Sequence, residues 1–173
     1  HTVHLGFAWK SNMKVFVPPF SIAAIVWEFS EKAKILENGK FVERTPQECP
    51  LNYRYRSICR QKTWYTMHAE YYTMYKYLKD LGIKNLAVCS SFPAHSRDAI
   101  MKLMELGLTR WDRRVAVGGH EIEPIDFTEA VLREIPIPKG YVETEDIWIK
   151  VFGKKNGKAK KVEMDMIVKT LPG

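Results

Sequence analysis

The sequence has no apolar run that approaches the roughly 18 residues of a membrane span. The longest one, residues 20–26, is interrupted by a serine and is soon followed by Glu28. The N-terminal region lacks a basic segment followed by an apolar one, so we expect no secretory signal peptide. Charged residues make up 27% of the 173, near the globular average of about 25%, which excludes the disordered class. Length and composition predict a single globular domain over residues 1–173.

Cysteine is scarce, and its three positions are Cys49, Cys59 and Cys89. An odd number without a closely spaced pair argues against a disulfide framework and predicts a reducing compartment, the cytoplasm. The absence of any Cys-x-x-Cys makes a structural zinc site improbable. We therefore expect no metal in this chain.

Positive charge is in excess, with a formal net charge of +7. Five lysines flank Asn156-Gly157, a dipeptide typical of a tight hairpin, and three arginines precede Trp64. One interpretation is a solvated hairpin tip and an exposed strand; the other is a nucleic-acid-binding surface. No known nucleic-acid motif accompanies these residues, which favours the first. They are Lys154, Lys155, Lys158, Lys160 and Lys161, with Arg54, Arg56 and Arg60.

Helical and alternating patterns of apolar residues interleave along the chain and predict an α+β fold, a mixed sheet with helices packed on one face. Pro18-Pro19 opens a helix to Phe29, and Gly82 ends another that begins at Glu70. Two Asn-Gly turns predict hairpins. Predicted strands cover residues 13–17, 33–36, 41–43, 60–67, 85–89, 114–117, 146–152 and 160–169, and the remaining helices cover 93–106 and 126–135.

The sheet face that carries no helices still has apolar side chains that must be buried. Aromatic and methionine side chains on the predicted strands, Trp64, Trp148, Met164 and Met166, would supply a flat apolar surface there. We interpret that surface as a dimer or domain interface. The alternative is that these side chains alternate into the single core, and the sequence leaves both open.

The most informative candidate site is the junction around residues 65–72, where a predicted strand ends and a helix begins. Ligands collect beyond the carboxyl ends of strands in sheets of this kind, and a helix N-terminus suits an anionic group. His68 can exchange a proton, Glu70 can anchor an ammonium group and Tyr72 can add a hydroxyl, which together would hold an amino acid. The alternative is structural, because Glu70 is favourable in any first helical turn.

Other chemical motifs are weaker. Arg97, at a second strand-to-helix junction, would meet a carboxylate or lie on a solvated helix face. His68-x-Glu70 also occurs in zinc deaminases, but the downstream Pro-Cys-x-x-Cys that they require is absent here. No Gly-x-Gly-x-x-Gly is present, so Gly118-Gly119 indicates a turn rather than a dinucleotide site.

The order of several motifs resembles a known family. The sequence is similar to the second domain of the saccharopine dehydrogenase family, which includes saccharopine reductase, lysine 6-dehydrogenase and carboxynorspermidine dehydrogenase. The resemblance spans roughly residues 13–170. The motifs are Pro18-Pro-Phe-Ser21, residues 33–43, Thr66-Met-His-Ala-Glu70, and residues 86–93, 103–108, 115–118 and 124–128.

The resemblance implies part of an NAD(P)-dependent oxidoreductase that acts on a carbon–nitrogen bond of a saccharopine- or lysine-like amino acid. It implies a substrate-binding and homodimerisation domain that is inactive by itself, with NAD or NADP bound by a Rossmann domain elsewhere in the full-length protein. The alternatives are a basic nucleic-acid-binding module and a purely structural dimerisation module. The family's His-Ser-Glu element corresponds to His68-Ala69-Glu70, so the serine and its hydrogen bond are lost. Insertion into a Rossmann domain would bring the first and last strands out on the same side, which the separation of Met13 and Lys169 tests. Ends at opposite poles would count against it.

Overall fold

A mixed sheet of seven strands forms the centre of the computed structural model, which describes residues 1–18 and 21–170. The strand order is β11-β10-β1-β7-β2-β3, and β6 pairs with β7 beside β2. Only β1 and β7 run parallel among these described pairs. The strands of this sheet are β1 (Thr2–Ser11), β2 (Ala33–Glu37), β3 (Lys40–Arg44), β6 (Trp64–Tyr65), β7 (Asn85–Ser91), β10 (Glu143–Lys155) and β11 (Lys158–Thr170).

Four helices and two small hairpins complete the part of the chain that is described. The helices are α1 (Ile22–Ser30), α2 (Glu70–Leu78), α3 (Ala94–Glu105) and α4 (Pro124–Arg133), and the hairpin strands are β4 (Arg54–Tyr55), β5 (Cys59–Arg60), β8 (Val115–Val117) and β9 (His120–Ile122). The predicted α+β class is confirmed. Both Asn-Gly turns have positive φ at both residues, at Asn38-Gly39 and Asn156-Gly157, as their hairpins require.

The first strand is the main feature that the sequence patterns missed. We predicted a strand over 13–17, which is wrong, and none over Thr2–Ser11. The alternation of Val3, Leu5, Phe7 and Trp9 is the strand signal, and Gly6 and Ala8 between them dilute it. The chain leaves the sheet after Ser11, whose hydroxyl donates to the Met13 carbonyl at 2.7 Å and bends the backbone.

The helices cover one face of the sheet, which we call the helix face and define by the odd-numbered residues of β1. Buried Tyr71 of α2 packs with Val3, Leu5 and Val88. Beside it, α1, α3 and α4 form one cluster with Trp64 and Phe92. Trp64 is therefore part of the core, as the alternative interpretation held.

The opposite face is covered near its centre by residues 46–61. Trp148, fully buried, packs there with Tyr55 and Ile58. The Tyr53 hydroxyl and His4 Nδ1 lie 2.6 Å apart, and the Ser57 amide donates to Asp146 Oδ2 at 3.3 Å. Trp148 is thus a core residue, and the expectation that it lies on an open apolar surface is wrong.

An uncovered apolar surface lies on β10 and β11 instead. Val162, Met164 and Met166 are 55%, 60% and 53% exposed, and strand alternation places them on the helix face beyond α2. Ile147 and Ile149 of β10, their neighbours across the hairpin, are half-buried. We call these five residues the apolar edge.

The two ends of the described chain enter and leave the sheet at opposite ends. Thr2 pairs with Phe152, whereas Thr170 pairs with Glu143 beside Ser11. Met13 follows Ser11 and so lies toward the same end as Lys169, but β1 itself begins at the other end. Insertion into a Rossmann domain stays a prediction.

Candidate functional site

The junction between β6 and α2 lies over the helix face rather than beyond a row of strand ends. The Thr66 amide donates to the Val88 carbonyl at 3.0 Å, and its hydroxyl lies 2.7 Å from that of Ser90. Because β6 runs antiparallel to β7, the chain returns along β7 as it approaches α2. The expected location at the carboxyl ends of the strands is therefore wrong, although the strand-to-helix junction itself is confirmed.

His68 and Glu70 form a pair at the start of α2. His68 Nδ1 is hydrogen-bonded to Glu70 Oε2, and both side chains are partly exposed. The imidazole lies edge-on to Phe7 of β1, with ring centroids 5.6 Å apart. Burial acts to raise the pKa of Glu70, but the hydrogen bond with His68, a backbone hydrogen bond and the charge of His68 together outweigh it, so the pKa is lowered. The pair is thus an accessible carboxylate beside a nitrogen base.

Glu28 is a third ionisable group at this site, and the sequence analysis missed it. It lies in the last turn of α1, and its Oε2 is buried without a hydrogen-bond partner among the described residues. Burial raises the pKa of Glu28 to about 7, the charge of His68 acts to lower it, and the negative charge of Glu70 raises it further. The available signal was that Glu28 is the only charged residue in an otherwise apolar helix.

Aromatic side chains link the elements that carry these groups. Phe7 contacts Trp9 edge-on at 5.0 Å, and Trp9 stacks on Phe92 at 4.8 Å. Phe92 in turn contacts Phe29, the residue after Glu28, at 5.3 Å. This series of ring contacts runs from the last turn of α1 to the surroundings of the His68 ring, whose charge acts on Glu28.

Tyr72 and Arg97, the other predicted site residues, are placed differently. Tyr72 is 54% exposed and lies edge-on to Tyr71. Arg97 donates two hydrogen bonds to Asp98, its neighbour in α3. Within residues 1–18 and 21–170, neither side chain is hydrogen-bonded or ion-paired with His68 or Glu70, and their part in binding stays a prediction.

The described part of the chain contains no group of three histidine, cysteine or acidic side chains arranged to hold a metal ion. Gly118-Gly119 forms the turn between β8 and β9, as expected. None of the described helices combines the length and the apolar character needed to cross a membrane. The three cysteines are free thiols.

The basic residues are interrupted by acidic ones on the opposite face. Lys161 and Lys150 are both ion-paired with Glu163, at 2.8 and 3.6 Å. Arg54 pairs with Arg60 in the exposed hairpin of β4 and β5. This interleaving favours the interpretation as a solvated surface over a continuous phosphate-binding one.

The fold can be compared with solved structures. No family model and no curated protein matches the sequence. Apo histidine-tagged saccharopine dehydrogenase (L-Glu forming) from Saccharomyces cerevisiae aligns with 97% of this chain, with a TM-score of 0.70 and 8% identity. The two share a fold. The chain spans about half, 53%, of that protein's length. This agrees with the fold that the sequence resemblance implied.

Proposed function

We propose that this chain is the substrate-binding and dimerisation domain of an NAD(P)-dependent oxidoreductase that acts on a carbon–nitrogen bond of a saccharopine- or lysine-like amino acid. The observation that carries the proposal is the fold shared with saccharopine dehydrogenase over 97% of the chain. The chemistry of the His68–Glu70 pair supports it, because a carboxylate beside an imidazole suits a cationic amine.

In this proposal the chain's own residues bind and orient the substrate. The Glu70 carboxylate attracts the ammonium group, and the partly exposed His68 imidazole accepts or returns a proton at the nitrogen. Phe7 forms an apolar floor that restricts the reacting carbon. NAD(P) would supply or accept the hydride. The present residues offer no glycine-rich cradle for it, so another domain would hold it.

Replacing His68 with alanine is expected to weaken binding of saccharopine by about tenfold, a loss of about 1.4 kcal/mol, because one polar contact to the ligand and the orientation of Glu70 are lost. Isothermal titration of the purified chain measures this effect directly. Glu105→Gln on the exposed end of α3 is the control and should bind like the natural chain. The chain should not bind NADPH. Equal saccharopine affinity in His68→Ala, or tight NADPH binding, would contradict the proposal.

The dimerisation part of the proposal rests on the apolar edge. Val162, Met164 and Met166 expose a contiguous apolar row on β11, which is the outermost strand of the sheet in the part of the chain that the structure describes. Exposed patches of this kind are typical of protein interfaces, and a closed two-fold dimer buries the same patch on both subunits. The occupant we propose is a second copy of this chain.

The double substitution Met164→Lys and Met166→Lys is expected to convert the dimer to a monomer, because it places four like charges in a two-fold interface. Analytical ultracentrifugation across a range of concentrations gives the oligomeric state. Ile167→Lys is the matched control, since that exposed residue lies on the other face of the same strand. A natural chain that sediments as a monomer throughout would refute the dimer.

A further inference from the structure

The proposed chemistry assigns no role to Glu28, the third ionisable group at the site. Its Oε2 is buried and, among the described residues, accepts no hydrogen bond. A carboxyl oxygen in this position loses hydration without compensation, so a ligand that donates to it would recover that loss. This poorly hydrated carboxyl oxygen lies beside the candidate site rather than elsewhere in the core.

We infer that Glu28 is a second ligand-binding carboxyl of the His68–Glu70 site, where a bound cationic amine lies between the Glu28 and Glu70 carboxylates. This inference rests on the proposed function. It specifies that the substrate group bound between the two carboxylates is an ammonium. The charges of His68 and Glu70 both act on the Glu28 carboxyl, which places the end of α1 beside the start of α2. Aromatic rings line the same region, where Phe7 lies edge-on to His68 and Phe29 follows Glu28. Two carboxylates near aromatic rings are a favourable environment for an ammonium group.

In the described residues, the charged groups on the elements near Glu28 do not neutralise its carboxylate. His68 and Glu70 act on it from the start of α2. On α3, Arg97 is engaged with Asp98. On α4, Arg133 pairs with Glu129, which accepts from Ser21 at the far end of α1. On its own element, Glu31 follows the helix and is exposed. Among these groups, none forms an ion pair with Glu28.

Binding of a cation beside Glu28 must be linked to protons. Because the pKa of Glu28 is raised to about 7, a large part of the population carries a proton near neutral pH. An ammonium favours the ionised form, so its binding releases that proton and its affinity rises with pH. If a ligand placed a carboxylate beside Glu28 instead, its binding would take up a proton and its affinity would fall as pH rises.

The test uses L-lysine as the probe, titrated calorimetrically at about pH 7 in phosphate and in Tris, whose ionisation enthalpies differ. The natural chain is expected to release about half a proton per lysine bound, and its affinity should rise about tenfold from about pH 6 to about pH 8. Glu28→Gln should lose both effects. Glu31→Gln, an exposed carboxylate three residues later, should keep both.

The outcomes separate this inference from the proposed function. Lysine binding that depends on His68 but is pH-independent, with no proton release and no change in Glu28→Gln, overturns the inference and leaves the proposed function standing. Proton uptake instead of release also overturns it, because the group beside Glu28 would then be anionic. An absence of lysine and saccharopine binding at millimolar concentration overturns both.

Discussion

Gly6→Ala is expected to abolish the stable fold. Gly6 lies in the centre of β1 between Trp148 of β10 and Cys89 of β7. A Cβ at this position would overlap the Cys89 carbonyl oxygen and lie 2.7 Å from its carbonyl carbon, which are main-chain atoms. Relief requires β1 and β7 to separate, so the expected cost is about 4 kcal/mol or more, a large share of the roughly 5–15 kcal/mol of a typical domain.

Urea denaturation followed by circular dichroism measures that loss, and the soluble fraction on expression reports it if the variant does not fold. Gly118→Ala is the matched control, because nothing lies within 4 Å of a Cβ there. Its positive φ of 58° still costs about 1 kcal/mol. Equal unfolding free energies for the two variants would show that β1 and β7 do not approach as closely as described.

Glu28→Gln is expected to stabilise the chain at about pH 8 and to have little effect at about pH 5. The pKa of Glu28 rises on folding from an ordinary 4.5 to about 7, so the folded chain holds the proton more tightly than the unfolded chain. The stability linked to that proton is complete below about pH 4.5 and is lost as pH rises through about 7. Allowing for its partial exposure, the loss is about 2 kcal/mol.

Removing the charge should therefore raise the unfolding free energy at about pH 8 by about 2 kcal/mol, or the melting temperature by roughly 5 °C for a chain of this size. Thermal and urea unfolding at the two pH values measure the difference. Glu31→Gln, exposed beyond the end of the same helix, should change neither. An equal gain at both pH values would mean that Glu28 is not the group that titrates.

A destabilising carboxylate of this kind is itself informative. Natural chains retain groups that cost stability mainly where they serve binding or catalysis. The Glu28 carboxyl interacts with the charges of His68 and Glu70 rather than with a buried ion-pair partner, so its cost in stability agrees with a role in ligand binding. The stability measurement thus tests the raised pKa of Glu28 on which the calorimetric experiment also depends.

Local chemistry in the sequence predicted the hairpins and helix ends well. The Asn38-Gly39 and Asn156-Gly157 turns specify their hairpins, and Gly82 takes the left-handed conformation that ends the short 3-10 turn after α2. These features depend on a few adjacent residues. The pairing of Ile147, Ile149 and Val151 with Met166, Met164 and Val162 follows from the second turn.

Features that depend on long-range packing were harder to predict from the sequence. β1 was missed because Gly6 weakens its pattern, yet that glycine is required by a strand more than 80 residues away in the chain. Trp148 shares its face of β10 with the charged residues Asp146 and Lys150. Only the cover formed by residues 46–61 decides that this face is buried. His68 and Glu70 were predictable because they are two residues apart. Glu28 was not predictable as a site residue, because only the packing of α1 in the fold places it near His68 and Glu70.

The most direct test of the central claim, that the start of α2 holds the amine of an amino-acid substrate, is a crystal structure of this chain soaked with saccharopine. The account predicts ligand density beside His68 and Glu70, with a nitrogen facing the Glu28 and Glu70 carboxylates and an aliphatic segment on Phe7. Density at a different cleft, with the His68–Glu70 pair unaltered, would contradict it.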